Sequence, residues 1–315
     1  MSAKKPTSSI FDGQAGPGAN PAPIVVGIGE ILWDLLPDGR QMGGAPANFA
    51  FHARALGAAS VIVSAVGDDR PGREILAELG LRGLEPSGIA TVSSAPTGTV
   101  TVALDAGGIP HYTIHEGAAW DVIPWTAGLG DIAARADAVC FGTLAQRSPV
   151  SRATIGAFLD ATRPDCLRVL DLNLRQSYFS RETVHGLLGC ATVLKLNDDE
   201  LTTVAAMLSL PGPETRILAA LLEAYPITLI ALTKGPSGSR LFGRGVDLSH
   251  PGYPAETEDT VGAGDAFTAT LVAGLLKKKS WAEIGERANR IAGYVCSRKG
   301  AWPDLPAELS SWPRA

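Results

Sequence analysis

Cysteine is scarce. The four residues, Cys140, Cys166, Cys190 and Cys296, each stand alone in apolar surroundings without C-x-x-C spacing. That pattern supplies neither a zinc site nor a disulfide framework, and it fits a reducing cytoplasm. The five histidines show no metal spacing, and His52 reads as an ordinary helix residue. No apolar run approaches the ~18 to 20 residues of a membrane span, and the N-terminus lacks the apolar core of a signal peptide. With 27 Lys+Arg against 32 Asp+Glu, no cationic stripe stands out, which argues against a nucleic-acid partner. The one tight basic run, Lys277–Lys279, closes an apolar stretch and reads as a helix C-terminus complementing its dipole. A soluble cytoplasmic protein with neither a membrane nor a nucleic-acid partner is the expectation.

What the chain has in quantity is glycine, 36 residues, with 22 prolines and no Gly-X-Y period, so collagen is excluded. Hydrophobic residues at 45% and charged residues at 19% give ample material for a core. The glycines therefore serve tight turns and close approaches of backbone to ligand. Of the first 23 residues, 14 are Gly, Pro, Ser or Ala, so 1–23 reads as a flexible tail. From Ile24 onward, short β-branched runs alternate with helical patterns. Ile24–Ile28, Val61–Ala65, Ala138–Phe141, Leu167–Leu170, Thr192–Leu194 and Ile227–Leu232 are strand candidates, with Ser148–Thr162 and Pro213–Ala224 among the helices. This alternation implies an α/β fold with a mostly parallel sheet covered by helices. Two stretches, 31–42 and 98–114, instead show period-2 alternation around turn signals and read as a small secondary sheet forming a lid.

Nucleotide signatures fail in turn. Gly27-Ile28-Gly29 is followed by Leu32 where the dinucleotide fingerprint needs a glycine, and there is no P-loop. Instead, Asp259-Thr260-Val261-Gly262-Ala263-Gly264-Asp265 runs into an apolar helix. Free N–H groups at that helix start, on the positive end of its dipole, suit an anion. Asp265 is either an ordinary N-cap or a base beside the anion hole, the minimum equipment for phosphoryl transfer. Gly43-Gly44-Ala45-Pro46-Ala47-Asn48 places a glycine turn before a second helix, with Pro46 in its first turn. Asn48 offers a donor and an acceptor, as a sugar hydroxyl requires, unless it is merely solvated. Asp34, beside Trp33, is a candidate ligand for a polyol.

Together these segments resemble the ribokinase-like (phosphofructokinase B type) carbohydrate kinases, the fructokinase branch most closely. Gly43–Ala50 and Asp259–Phe267 are similar to the family's two signatures, in order and at about the expected separation. Asn197-Asp198-Asp199-Glu200 matches its N-x-x-E motif, Thr233-Lys234-Gly235 with Gly238 its T-x-G-x-x-G turn, and Ser297–Ala301 its C-terminal loop. Gly29–Asp34, Ala119–Asp121, Gly142–Arg147 and Asp171–Arg175 are similar to fructokinase segments. The resemblance spans residues 24 to about 306.

The resemblance implies a ribokinase-like fold, an ATP-dependent sugar kinase and a set of roles. Asp265 would be the catalytic base, with the amides of Gly262, Ala263 and Gly264 stabilising the transferred phosphoryl group. Asp34, Gly43, Gly44 and Asn48 would hold the sugar, with Gln146 and Arg175 lining the cleft. Thr233, Gly235 and Gly238 would border ATP, and Asn197 and Glu200 would organise Mg²⁺ and the phosphates through water; a helix cap with a capping-box Glu is the other reading, and the two are compatible. Asp259, with backbone carbonyls of Val261, Val295, Arg298 and Gly300, would hold a monovalent cation, K⁺. The kinase domain would span 24–306, with lid strands from about 31–42 and 98–121 and a C-terminal tail at 307–315. The lid would exclude water and offers a surface for a homodimer. Gly-Gly-Ala-Pro-Ala-Asn, where ribokinases carry Gly-Gly-Lys-Gly-Ala-Asn, favours fructose over ribose. A kinase for 2-keto-3-deoxygluconate or a nucleoside, and a non-catalytic sugar sensor, are the alternatives.

Overall fold

The computed structural model describes residues 21–104, 110–254 and 256–312. The expected tail at 1–23 lies almost entirely outside them. Strands form at β1 (Ile24–Ile28), β2 (Leu32–Leu36), β3 (Gly39–Gly43), β4 (Ala59–Gly67), β5 (Ile89–Val92), β6 (Gly98–Leu104) and β7 (Pro110–Ile114). They continue as β8 (Ala138–Phe141), β9 (Leu167–Asp171), β10 (Val193–Asn197), β11 (Leu229–Thr233), β12 (Ser239–Gly243) and β13 (Val246–His250). The helices are α1 (Ala45–Ala55), α2 (Arg70–Leu81), α3 (Ala127–Arg135), α4 (Pro149–Asp160) and α5 (Arg181–Cys190). After them come α6 (Asp198–Leu208), α7 (Glu214–Ala224), α8 (Ala263–Leu276), α9 (Trp281–Cys296) and α10 (Ala307–Ser310).

Nine strands make one sheet in the order β13-β12-β11-β10-β9-β8-β1-β4-β5, parallel from β11 to β5. Only β12 and β13 run antiparallel, at one edge. Successive side chains on a strand face opposite sides, and the core divides accordingly. Val26, Val139, Leu170, Leu194 and Ile230 pack with α3 to α7, whereas Val25, Cys140, Val169, Val193 and Leu229 pack with α1, α8 and α9. Strands buried on both faces read as continuous apolar runs, which is why their cores were legible.

The second sheet, β3-β2-β6-β7, is the small separate sheet expected from 31–42 and 98–114. It is fastened to the body through backbone carbonyls: Gln176 Nε2 donates to Tyr112 O (2.8 Å), Tyr178 Oη to Ile114 O (3.3 Å) and Arg147 to His115 O (2.7 Å). The expected second lid stretch of 98–121 is too long. Beyond β7 the chain re-enters the body, where Ala119–Val122 forms a 3₁₀ turn and Trp120 is buried. The expected tail at 307–315 is also corrected for the part described. Leu309 on α10 is buried, Trp312 packs on the α8–α9 core, and Arg287 donates to the carbonyls of Glu308, Leu309 and Ser311. Buried carbonyls with a cation to accept from make this segment part of the fold.

Candidate active site

The parallel strands deliver their C-terminal ends to one edge, where ligands bind in open α/β sheets. Glu30 follows β1, the Gly142–Gln146 segment follows β8, Asp171 ends β9, Asn197 ends β10 and Thr233 ends β11. Two helices start over this edge. Near their N-termini, Asn48 Nδ2 donates to Asp265 Oδ2 at 2.8 Å; near their C-termini, Lys277 Nζ donates to Leu56 O at 2.7 Å. Helices α1 and α8 therefore lie side by side pointing the same way, and the positive ends of both dipoles converge on Asp265.

Asp265 lies in the first turn of α8, and the N-cap is Gly262, so the capping role for Asp265 is not the one the structure adopts. Gly262 has φ 79°, and a β-carbon there would fall 2.7 Å from Ala301 Cα. Glycine is required on both counts. The amide of Ala263 turns back to Thr260 O at 3.4 Å, while those of Gly264 and Asp265 reach no backbone carbonyl among the described residues. Unpaired N–H groups at a helix start are the equipment of an anion hole.

Burial raises the Asp265 carboxyl to about 6, with Asp171 adding to it, while the Asn48 hydrogen bond, Lys195 and Arg175 pull the other way. Arg175 is exposed, and its charge is also felt by Asp34, raised by burial to about 6. Asp34, Arg175 and Asp265 thus share one neighbourhood. Gly43 is glycine because a β-carbon would strike Asp34 Oδ2 at 2.2 Å, and Gly44 (φ 107°) because one would meet Glu30 O at 2.4 Å.

Other expected residues sit differently. Asn48 is buried rather than solvated, and its oxygen accepts from Trp302 Nε1 at 2.6 Å. Its acceptor and one donor are committed to protein, which leaves one N–H for a ligand. Gln146 is buried, with its amide folded back on Gly142 O at 3.4 Å, so it does not line an open cleft. Asn197 and Glu200 form a reciprocal capping box at 2.8 Å each way, and Glu200 also accepts from Leu174 N at 2.9 Å. Each Glu200 oxygen therefore holds a backbone amide and fixes the start of α6. Among the described residues no group of three or more His, Cys, Asp or Glu side chains is placed to hold a metal.

Thr233 ends β11, and Gly235 (φ 53°) is exposed with open space at its β-carbon position. Gly238 is glycine for another reason: its β-carbon would fall 2.0 Å from His250 O on β13. Asp259 accepts from Val261 N and Gly300 N at 3.0 Å each, while Val295 O already accepts from Arg298 N at 3.0 Å. The side chain of Arg298 turns away to stack on Tyr294.

Sequence reasoning missed three groups. Glu30 is buried, its Oε2 has no partner, and burial lifts its carboxyl to about 7, with Asp265 adding to the shift. Lys195, also buried, donates to Asp171 Oδ1 at 3.0 Å, and Thr268 Oγ1 holds the other oxygen at 2.8 Å. Trp302 is the third. An ionisable residue within or just after an apolar strand was the available signal for the first two.

Residues 39–308 match the model of the pfkB family carbohydrate kinases. An uncharacterized sugar kinase of Pyrococcus horikoshii, PH1459, is 30% identical over 292 residues, covering 89% of this chain and 92% of that protein. Its structure in complex with ATP superimposes with a TM-score of 0.75 at 28% identity, covering 89% and 94% of the two chains. Fructokinase-2 of Oryza sativa subsp. japonica is 28% identical over 323 residues, covering 94% of this chain and 95% of its own. The fold is also that of Xylella fastidiosa fructokinase, with a TM-score of 0.80 over 91% and 96% of the chains at 20% identity. Fold and family model converge: the chain belongs to the pfkB family of carbohydrate kinases and is an ATP-dependent sugar kinase.

Proposed function

We propose that the protein transfers the γ-phosphoryl group of ATP to the 6-hydroxyl of D-fructose, giving fructose 6-phosphate and ADP, with Asp265 as general base. The observation that carries this reading is the pairing of a carboxylate raised to about 6 with unpaired first-turn amides at Gly264 and Asp265. A base poised near neutrality takes the proton of an incoming hydroxyl. The amides and two helix dipoles stabilise the charge on the transferred group without reorganising. Gly262 and Ala263 shape that turn. Asp34 and Arg175 face the same neighbourhood and hold the sugar, with Gly43 and Gly44 clearing space and Asn48 contributing its remaining N–H.

Thr233 and the open side of Gly235 border the nucleotide, next to the Asn197 cap. Mg²⁺ bound with ATP would supply neutralisation of the phosphate charge, and Asn197 would hold it through water, with Glu200 fixing the cap. Asp259 and the carbonyls of Val261, Val295, Arg298 and Gly300 form an all-oxygen donor set of the kind a hard cation such as K⁺ takes, since each Asp259 oxygen keeps a lone pair. The lid over the sugar excludes water from the phosphoryl group.

An ADP-release assay with ATP, Mg²⁺ and K⁺ over a panel of sugars and nucleosides tests the substrate. Fructose is expected to give the highest kcat/KM. A preference for 2-keto-3-deoxygluconate or a nucleoside would overturn the choice of sugar, and saturable sugar binding without ADP release would overturn catalysis.

A further inference from the structure

We propose that Trp302 is a positioning residue for the general base: its indole N–H fixes the Asn48 amide, which in turn fixes Asp265. The inference rests on the assignment of Asp265 as base. The contacts run in series. Trp302 Nε1 lies 2.6 Å from Asn48 Oδ1, and Asn48 Nδ2 lies 2.8 Å from Asp265 Oδ2. An amide can present either end to a neighbour, but an indole N–H only donates. Asn48 must therefore turn its oxygen to Trp302, which leaves its NH₂ group for the carboxylate. Without that constraint the amide oxygen can rotate toward Asp265, where two acceptors repel.

The surroundings aim the indole. Trp302 stacks on Phe51 of α1 with centroids 4.6 Å apart, and Arg82 donates to its carbonyl at 3.3 Å. His52 Nε2 donates to Ala301 O at 2.9 Å, and the bare Gly262 lets the 301 backbone approach α8. Both Trp302 and Asn48 are buried, so water does not replace the lost donor. The charged and titratable groups that act on Asp265 come from other elements: Glu30 after β1, Cys140 on β8, Asp171 at the end of β9, Arg175 in the loop beyond it, and Lys195 on β10. Trp302→Phe leaves all of these in place and keeps a ring to stack on Phe51.

A hydrogen bond to the ionised form favours that form. Trp302→Phe is expected to move the acidic limb of the kcat/KM profile upward by about half to one pH unit and so to lower kcat/KM roughly two- to fivefold at pH 6, with KM for ATP unchanged. In an Asn48→Ala background the same substitution is expected to add less than about twofold, because the relay is already cut. An unmoved acidic limb, or the full effect persisting beside Asn48→Ala, would overturn the relay. If Trp302→Phe does not fold, the assigned indole ¹H–¹⁵N resonance of the unsubstituted enzyme decides. It is expected to titrate with Asp265, near 6, and to stop doing so in Asp265→Asn; an indole that does not titrate overturns the proposal. An inactive Asp265→Asn alongside a parent-like Trp302→Phe refutes the relay alone, whereas an active Asp265→Asn refutes the base.

Discussion

A β-carbon on Gly264 would lie 3.0 Å from Nζ of Lys195. The ammonium therefore sits directly beneath the first turn of α8, where the amides of the anion hole begin. It is held there by Asp171, itself held by Thr268 of the same helix. Despite burial, Lys195 stays charged: Asp171, Glu200 and Asp265 together raise its pKa above the ordinary lysine value. Replacing it with Met leaves Asp171 buried and unpaired, which costs roughly 3 to 5 kcal/mol of stability. Lys195→Met is also expected to shift the acidic limb of kcat/KM upward, because Asp265 loses a neighbouring cation. Urea unfolding and a pH–rate profile check the two effects separately.

Glu30 makes a pH prediction of its own. Its folded-state pKa of about 7 stands above the ordinary 4.5. The stability it contributes is thus fully present below 4.5 and is lost as pH rises through 7. Glu30→Gln cannot ionise, so the variant is expected to be more stable than the parent at pH 8, by about 3 kcal/mol, and nearly equal to it at pH 4.5. Unfolding free energies at the two pH values measure this. An equal difference at both would contradict it.

Some of this was legible in the sequence and some was not, for physical reasons. Strands β1 and β8 were read at their true bounds because both faces are buried and the run is uniformly apolar. Strand β13 was not named, since it alternates between half-buried and exposed positions at the sheet edge. The Asn197–Glu200 cap was visible because a capping box is a local spacing. The partnership of Asn48 with Trp302 joins residues 254 positions apart and has no local signature. The same holds for Asn48 with Asp265. Residue types and order suggested a sugar-binding Asn, and only packing of α1 on α8 turns it toward the base.

The C-terminal segment gives a further test. Deleting residues 307–315 uncovers the site of Leu309 and removes the carbonyls that Arg287 grips. The truncated chain is expected to lose about 2 to 4 kcal/mol of stability, seen as a lower thermal midpoint. An unchanged midpoint would restore the reading of this segment as a tail.

Arg147 fastens the small sheet to the body. Its guanidinium donates to both oxygens of Asp121 at 2.8 Å and to His115 O at 2.7 Å, and lies 4.0 Å from the centroid of Trp120. A lysine has neither the fork nor the flat face. Arg147→Lys is expected to cost about 2 to 3 kcal/mol and to raise KM for the sugar more than it lowers kcat. Steady-state kinetics beside thermal unfolding report both.

The most direct measurement is turnover of Asp265→Asn with fructose, ATP, Mg²⁺ and K⁺, with ATP binding measured on the same preparation. Loss of the base is predicted to lower kcat roughly 10² to 10⁴-fold while the Kd for ATP stays within about twofold. Turnover within about threefold of the parent, with ATP still bound, would contradict the assignment of Asp265 and the mechanism built on it.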